Sequence, residues 1–181
     1  MYEKSRELAQ LSLQQWLSKE VFSLGWFIIL GLIIVFYVVW LILLDRKRAS
    51  KLLLIGSLAA VGCTINYLVL GDTLGLIEYK IRLLPFYSPV FFSSITLSPI
   101  IMMLAEQYSS SWPGYMVRCA VGFTVLNIIF YIFTLIGILA FYHWNVFYHF
   151  LVLFGISLLV RLVFLWINGT QKRYQAKHGS G

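Results

Sequence analysis

Charged residues are scarce in this sequence, and acidic residues are the scarcer kind. Of 181 residues, 7 are Asp or Glu and 14 are Lys or Arg, so 12% of the chain is charged while 60% is hydrophobic. Soluble domains carry about 25% charged and about 45–50% apolar residues. The composition therefore excludes an ordinary water-soluble globular fold, because too few polar residues are present to cover the apolar ones.

Cysteine and the common catalytic motifs are also nearly absent. The two cysteines, Cys63 and Cys119, both lie in apolar runs, where a thiol usually behaves as a small hydrophobe, so no disulfide framework is predicted. The sequence has no HExxH, CxxC or His-x-His spacing, and no phosphate-binding glycine loop or nucleophile elbow. We therefore predict no metal and no cofactor, and an enzymatic function is disfavoured.

What the sequence has in abundance is long apolar runs. About 20 helical residues cross the roughly 30 Å of hydrocarbon in a bilayer. The third run has only 16 residues and several Ser and Thr, so a re-entrant segment is the alternative there. The fold class predicted is all-α, a polytopic transmembrane helical bundle of about five spans. The runs are 22–44, 52–70, 90–105, 115–142 and 146–167.

Basic residues stand in short clusters beside these runs, and this arrangement predicts orientation rather than nucleic-acid binding. With five spans and the amino terminus outside, the cytoplasmic side holds the first-loop cluster, Arg118 and the carboxyl-terminal basic residues. A re-entrant third run leaves only the first-loop cluster inside. Five spans in a cell membrane, with the amino terminus outside and the carboxyl terminus cytoplasmic, fit the loop charges better. The first-loop cluster is Arg46, Lys47, Arg48 and Lys51.

The chain divides into three parts. Residues 1–20 carry an apolar stripe at helical spacing, which predicts an amphipathic helix that lies in the lipid interface or packs on the protein's own loops. Residues 21–168 form the transmembrane helical domain. Residues 169–181 form a basic tail whose closing Gly179-Ser180-Gly181 is typical of an expression linker, and no cleavable signal peptide is predicted. The stripe consists of Ala9, Leu13, Trp16 and Leu17.

The segment from Gly75 to Pro85 has the composition of a short interfacial helix. In such a helix Glu78 and Arg82 are spaced i, i+4 and form an ion pair, which serves as a structural clamp or as part of a binding site. Tyr79 anchors the segment at the interface or covers a pocket. His143 and His149 flank the last outer turn. The candidate binding or structural polar cluster consists of Glu78, Tyr79, Arg82, His143 and His149.

Three polar residues fall inside the apolar runs. Asn66 and Asn127 are predicted to hydrogen-bond between helices. Arg161 lies about 9 Å from the inner end of its run by helical rise, so the favoured interpretation is a side chain that extends to the headgroups, with a buried functional charge as the alternative. Glu106 and Arg118 are predicted to form a surface pair.

Several short motifs resemble an uncharacterised family of small integral membrane proteins of endospore-forming bacilli and clostridia. The likeness covers most of residues 23–167. Lys80 departs from the family pattern, in which proline is expected, and Ser93-Ser94 replaces a position that is frequently acidic. The resemblance implies a bacterial plasma or spore membrane and no established activity. The motifs are Asp45-Arg46-Lys47-Arg48, Gly75-Leu76-Ile77-Glu78-Tyr79 with Arg82 and Pro85, Gln107-Tyr108, and Trp144-Asn145.

The polar residues gather at the two interfaces rather than along a path through the membrane. This favours a non-catalytic membrane component whose partners are membrane lipids, a protein or further copies of the chain. The alternative is an oligomeric unit for permeation of small solutes or ions, which would be favoured if Asn66, Asn127 and Arg161 faced one cavity. A membrane enzyme is the third possibility and requires Glu78, His143 and His149 to converge in one outer-face cleft.

Overall fold

The computed structural model describes residues 2–85 and 92–178, and within these residues the chain is an all-α bundle with one pair of short strands. The prediction of the fold class is confirmed. In the described part of the chain, four segments are long and apolar enough to cross a membrane: Leu24–Leu43, Arg46–Thr73, Trp112–Leu135 and Val146–Thr170. The helices are α1 (Tyr2–Gln15), α2 (Leu24–Leu43), α3 (Ala49–Tyr67), α4 (Ser98–Gln107), α5 (Trp112–Leu135) and α6 (Val146–His178).

The third apolar run forms the shorter helix α4, which a π-helical turn over Ser93–Leu97 precedes. At one end, Ser94 Oγ donates to the carbonyl of Cys63, near the end of α3. At the other end, Gln107 Nε2 donates to the carbonyl of Leu43, where α2 ends. The segment thus joins opposite ends of the bundle, which favours a crossing over a re-entrant loop. Its first residues, 90 and 91, lie outside the described residues.

Close packing places α4 at the centre of the bundle. A Cβ atom on Gly56 of α3 would lie 2.6 Å from Met103 Sδ, and one on Gly122 of α5 would overlap Ile101. Glycine at these two positions lets the helix backbones approach. In lipid this approach gains van der Waals contact rather than hydrophobic energy. Gly56 and Gly122 therefore mark the places where α3 and α5 contact α4 closely.

Two short antiparallel strands close one end of the bundle. Strand β1 (Ile77–Tyr79) pairs with β2 (Leu139–Phe141), and Gly75 and Gly137, with φ of +62° and +75°, turn the chain before each strand. The prediction of an interfacial helix over Gly75–Pro85 is wrong, and so is the continuation of the fourth run to residue 142. Apolar and polar residues alternate from Ile77 to Arg82, and this alternation is typical of a strand rather than a helix.

The two ends of the bundle differ in chemistry. One end, called the sheet end here, carries both strands and residues 80–85. The other, called the basic end, carries the α2–α3 and α4–α5 junctions, where Asp45 Oδ1 accepts from the backbone N–H of Lys47 to cap a 3₁₀ turn over Arg46–Arg48. The basic tail predicted from residue 169 continues α6 as far as His178, and residues 179–181 lie outside the described residues.

Candidate functional site

A polar cleft of about 600 Å³ opens at the sheet end. It lies between the amino-terminal helix, with the π-helical turn Trp16–Glu20 that follows it, and the segment that begins with β1. Its walls combine charged, polar and apolar side chains. The lining residues are Leu11, Ser12, Gln15, Glu20, Glu78, Tyr79, Lys80 and Arg82.

An ion pair between Glu20 and Arg82 forms the inner wall of this cleft. Arg82 Nη2 lies 2.6 Å from Glu20 Oε1, and Arg82 Nε donates to Oε2 at 3.0 Å. The backbone N–H of Arg82 donates to the same Oε2 at 2.8 Å. The Glu20 side chain is 4% exposed and that of Arg82 is 22% exposed. This forked geometry is the strong form of a carboxylate–guanidinium contact, and the hydrogen bond to Glu20 raises the pKa of Arg82.

The predicted pair of Glu78 with Arg82 is therefore wrong. A strand at Ile77–Tyr79 removes the helical turn on which their spacing depended. Glu78 instead accepts a 2.7 Å hydrogen bond from the hydroxyl of Tyr142, the residue that follows β2. This contact raises the pKa of Tyr142.

Hydrogen bonds fix the amino-terminal helix to residues 82–85. Arg82 Nη1 donates to Ser12 Oγ at 2.9 Å, and Ser12 Oγ donates to the carbonyl of Pro85 at 3.1 Å. The indole N–H of Trp16 donates to the carbonyl of Arg82, and that of Trp26 to the carbonyl of Leu83. Of the two alternatives for residues 1–20, these contacts support packing on the protein's own loops.

The five members of the predicted polar cluster do not meet at one place, although Tyr79 and His149 both line a small internal space. Glu78, Tyr79 and Arg82 line the cleft. His143 is exposed in the turn after β2, with φ of +52°. His149 is buried, and its ring packs edge-on against Phe130 at 4.9 Å between ring centroids. The cluster is therefore not one site.

His149 contacts one of the predicted intramembrane asparagines. Its Nδ1 lies 3.3 Å from Asn127 Oδ1, and Asn127 Nδ2 donates to the carbonyl of Phe123 at 2.7 Å. Asn127 thus links α5 to α6, as predicted for an interhelical hydrogen bond. It also lines an apolar groove of about 460 Å³ between these helices, together with Thr124, Ile128, Tyr131, Val146, Phe147 and Phe150.

Asn66 lies at a different cavity. It lines a small internal space with Tyr79, Ser93, Ser94 and His149. The volume is about 10 Å³, which is close to the minimum for one water molecule. Tyr79 is buried there, and its hydroxyl donates to Ser93 Oγ at 3.4 Å. This space is a packing gap with polar walls and is too small for a solute.

Arg161 is buried at the basic end, so the favoured prediction that it extends to the headgroups is wrong. Its Nε lies 3.0 Å from Glu106 Oε2, and Nη1 donates to the carbonyl of Ser111. The guanidinium carbon lies 4.8 Å from the ring centroid of Trp112 and 4.4 Å from that of Tyr115. An acidic partner and two aromatic faces thus hold this charge inside the bundle.

The predicted surface pair of Glu106 with Arg118 is wrong for the same reason. Glu106 is 6% exposed and belongs to Arg161. Arg118 Nη1 donates instead to Ser109 Oγ and to the carbonyl of Gly114. Helical rotation decides this outcome, because α4 turns Glu106 into the bundle while Arg118 stays on the outside of α5.

The described residues form no metal centre, because no three His, Cys, Asp or Glu side chains among them lie close enough to hold a metal ion. Cys63 and Cys119 are buried free thiols.

Sequence reasoning missed Glu20, which completes the cleft. This residue stands among other polar residues ahead of the first span, and its partner is 62 positions away. Local spacing therefore gives no signal for the pair. The one clue in the sequence was that Asp and Glu are few, because a carboxylate that lies near a membrane span needs a partner.

Comparison of the chain with known protein families, with curated proteins and with solved structures finds no match. The geometry of the site is therefore the main basis for a functional conclusion.

Proposed function

We propose that the protein is a non-catalytic component of a bacterial cell membrane that binds a lipid or protein partner at the sheet end. The observation that carries this proposal is the 600 Å³ cleft, which has mixed polar and apolar walls and is closed on its inner side by the Glu20–Arg82 pair. A cavity with a few placed polar groups and a fixed wall is suited to binding. The resemblance to membrane proteins of endospore-forming bacteria supports the bacterial setting.

Loop charge supports an outer location for the cleft. Cytoplasmic loops are enriched in Lys and Arg, and the basic end carries Arg46, Lys47, Arg48 and Lys51 beside the α2–α3 junction. If the basic end is cytoplasmic, the alternating directions of α2 to α6 support an outer location for the sheet end and its cleft. The carboxyl-terminal end of α6 is cytoplasmic in this arrangement.

The two rival functions have less support in the geometry. Permeation by one copy requires Asn66, Asn127 and Arg161 to face one cavity, yet Asn66 lines the small internal space, Asn127 the lateral groove, and Arg161 an ion pair at the basic end. An outer-face enzyme requires Glu78 to meet both histidines, which lie in separate places. An oligomer of this chain that encloses a pore remains the rival to test.

Photo-crosslinking from the cleft tests the proposal. A photoreactive amino acid at Gln15, which lines the cleft, is expected to capture a lipid or protein adduct when native membranes are irradiated. The same group at Lys51, an exposed residue at the basic end, is the matched control. Adducts of equal yield and composition from both positions would mean that the cleft has no specific occupant.

Reconstitution separates this function from permeation. Purified protein in liposomes is expected to conduct no ions and to move no small solute, because the internal space holds about one water molecule. Flux that Asn127→Leu abolishes would overturn the proposal and establish a pore in its place.

A further inference from the structure

Among the described residues that line the cleft, the charges that remain available are one acid and one base. Glu20 and Arg82 neutralise each other within its wall. Glu78 and Lys80 are both exposed, and they lie two residues apart along β1 and its extension. Because alternate residues of a strand point to the same face, their side chains share one side, with Cα atoms roughly 7 Å apart. No ion pair within residues 2–85 and 92–178 uses the ammonium group of Lys80.

Aromatic residues indicate that the cleft lies at headgroup depth. The indoles of Trp16 and Trp26 donate to backbone carbonyls of residues 82 and 83, beside the Arg82 wall. Tryptophan is enriched at membrane–water interfaces, where the ring is apolar and the N–H is hydrogen-bonded. Leu11, on the rim, is 62% exposed. A ligand at this depth meets two opposite charges and an apolar edge.

We propose that the cleft binds the zwitterionic headgroup of an outer-leaflet phospholipid, with its phosphate beside Lys80 and a primary ammonium group beside Glu78. This inference rests on the proposed function and names the partner. A free carboxylate oxygen on Glu78 accepts hydrogen bonds from an ammonium group, whereas a quaternary choline has no N–H to donate. At about 30 Å³ per water-sized group, the cleft has room for the headgroup and its glycerol. Leu11 then contacts the start of an acyl chain.

Lipid retention by purified protein tests this inference. The protein in nanodiscs of equal parts phosphatidylethanolamine, phosphatidylcholine and phosphatidylglycerol is released into detergent, and the lipids that remain bound are measured by native mass spectrometry. We expect phosphatidylethanolamine to be retained about five-fold over the other two. Lys80→Gln and Glu78→Gln are each expected to reduce that preference to about two-fold, and the double variant to abolish it.

Two control variants isolate the charges. Lys51→Gln removes a basic residue at the basic end. Tyr142→Phe removes the hydrogen bond to Glu78 and keeps the negative charge of Glu78. Both are expected to keep the preference. Lys80 and Glu78 are exposed, and unchanged thermal unfolding of their variants will show that the fold is intact.

Each of the following results would overturn the inference. Equal retention of the three lipids by the unaltered protein means that no headgroup is selected. A preference for phosphatidylglycerol that only Lys80→Gln removes means an anion site without a zwitterion. If soluble phosphoethanolamine displaces bound lipid while the protein shows no preference among the three lipids, the site belongs to a soluble ligand. Capture of a protein from Gln15 together with equal lipid retention would refute this inference while leaving the proposed function intact.

Discussion

Arg161→Leu is expected to lower the free energy of unfolding by about 3–5 kcal/mol, the usual cost of breaking a buried ion pair. The variant leaves the Glu106 carboxylate, 6% exposed, without its cation at 3.0 Å. It also removes the guanidinium from the faces of Trp112 and Tyr115. Thermal unfolding in detergent, followed by circular dichroism, should show a decrease in Tm on the order of 10 °C.

The matched control is Arg118→Leu, which removes an exposed arginine whose Nη1 donates to Ser109 Oγ and to the carbonyl of Gly114. This change is expected to shift the free energy by about 0.5 kcal/mol or less. Replacing both members of the buried pair, as Glu106→Met with Arg161→Met, should recover much of the loss, since no unpaired charge remains. Equal Tm decreases for Arg161→Leu and Arg118→Leu would show that the buried pair does not form.

Arg82→Gln is expected to release the amino-terminal helix from the bundle. Glu20, 4% exposed, then lacks its guanidinium, and Ser12 loses a donor at 2.9 Å. Because Arg82 is itself partly exposed, we expect a cost of about 2–3 kcal/mol, below the value for a fully buried pair. Trypsin cleavage after Lys19 measures the release, and it should become at least several-fold faster while the transmembrane helices stay protected.

Double-mutant analysis distinguishes the observed pair from the one that sequence spacing predicted. Residues in contact couple, whereas independent sites add. Glu20→Gln and Arg82→Gln should therefore be non-additive in the free energy of unfolding, while Glu78→Gln and Arg82→Gln should be additive. Coupling of Arg82 to Glu78 instead of Glu20 would restore the helical interpretation of residues 75–85.

Hydrophobicity predicted the helices well because an apolar run identifies a membrane-crossing helix by itself, without knowledge of contacts to distant residues. The first run was expected over 22–44, and α2 covers Leu24–Leu43, where Ser23 Oγ accepts from the backbone N–H of Trp26 and caps the start. The fourth run was predicted over 115–142, whereas α5 ends at Leu135. Its apolar residues continue past Gly137, but there they enter a strand instead of the helix, and hydropathy alone does not distinguish these states.

The candidate site was harder to predict because its contacts join distant parts of the chain. Glu20 meets Arg82 across 62 residues, and Glu106 meets Arg161 through the packing of α4 between other helices. A plausible local partner was present in both cases. Glu78 lies four residues before Arg82, at the spacing of a helical ion pair, and Arg118 lies in the segment that follows Glu106. Tertiary packing selected the distant partner, and this pairing buries both charges of Glu106 and Arg161 and the carboxylate of Glu20.

Labelling of single cysteines tests the arrangement of the whole chain in the membrane most directly. Ser5→Cys and Gln175→Cys, each in a background without Cys63 and Cys119, are exposed to a membrane-impermeant maleimide in intact cells and again after permeabilisation. Five crossings with the sheet end outside require Ser5→Cys to react in intact cells and Gln175→Cys to react only after permeabilisation. Equal reaction of both positions from outside would contradict this arrangement, and with it the outer location of the cleft.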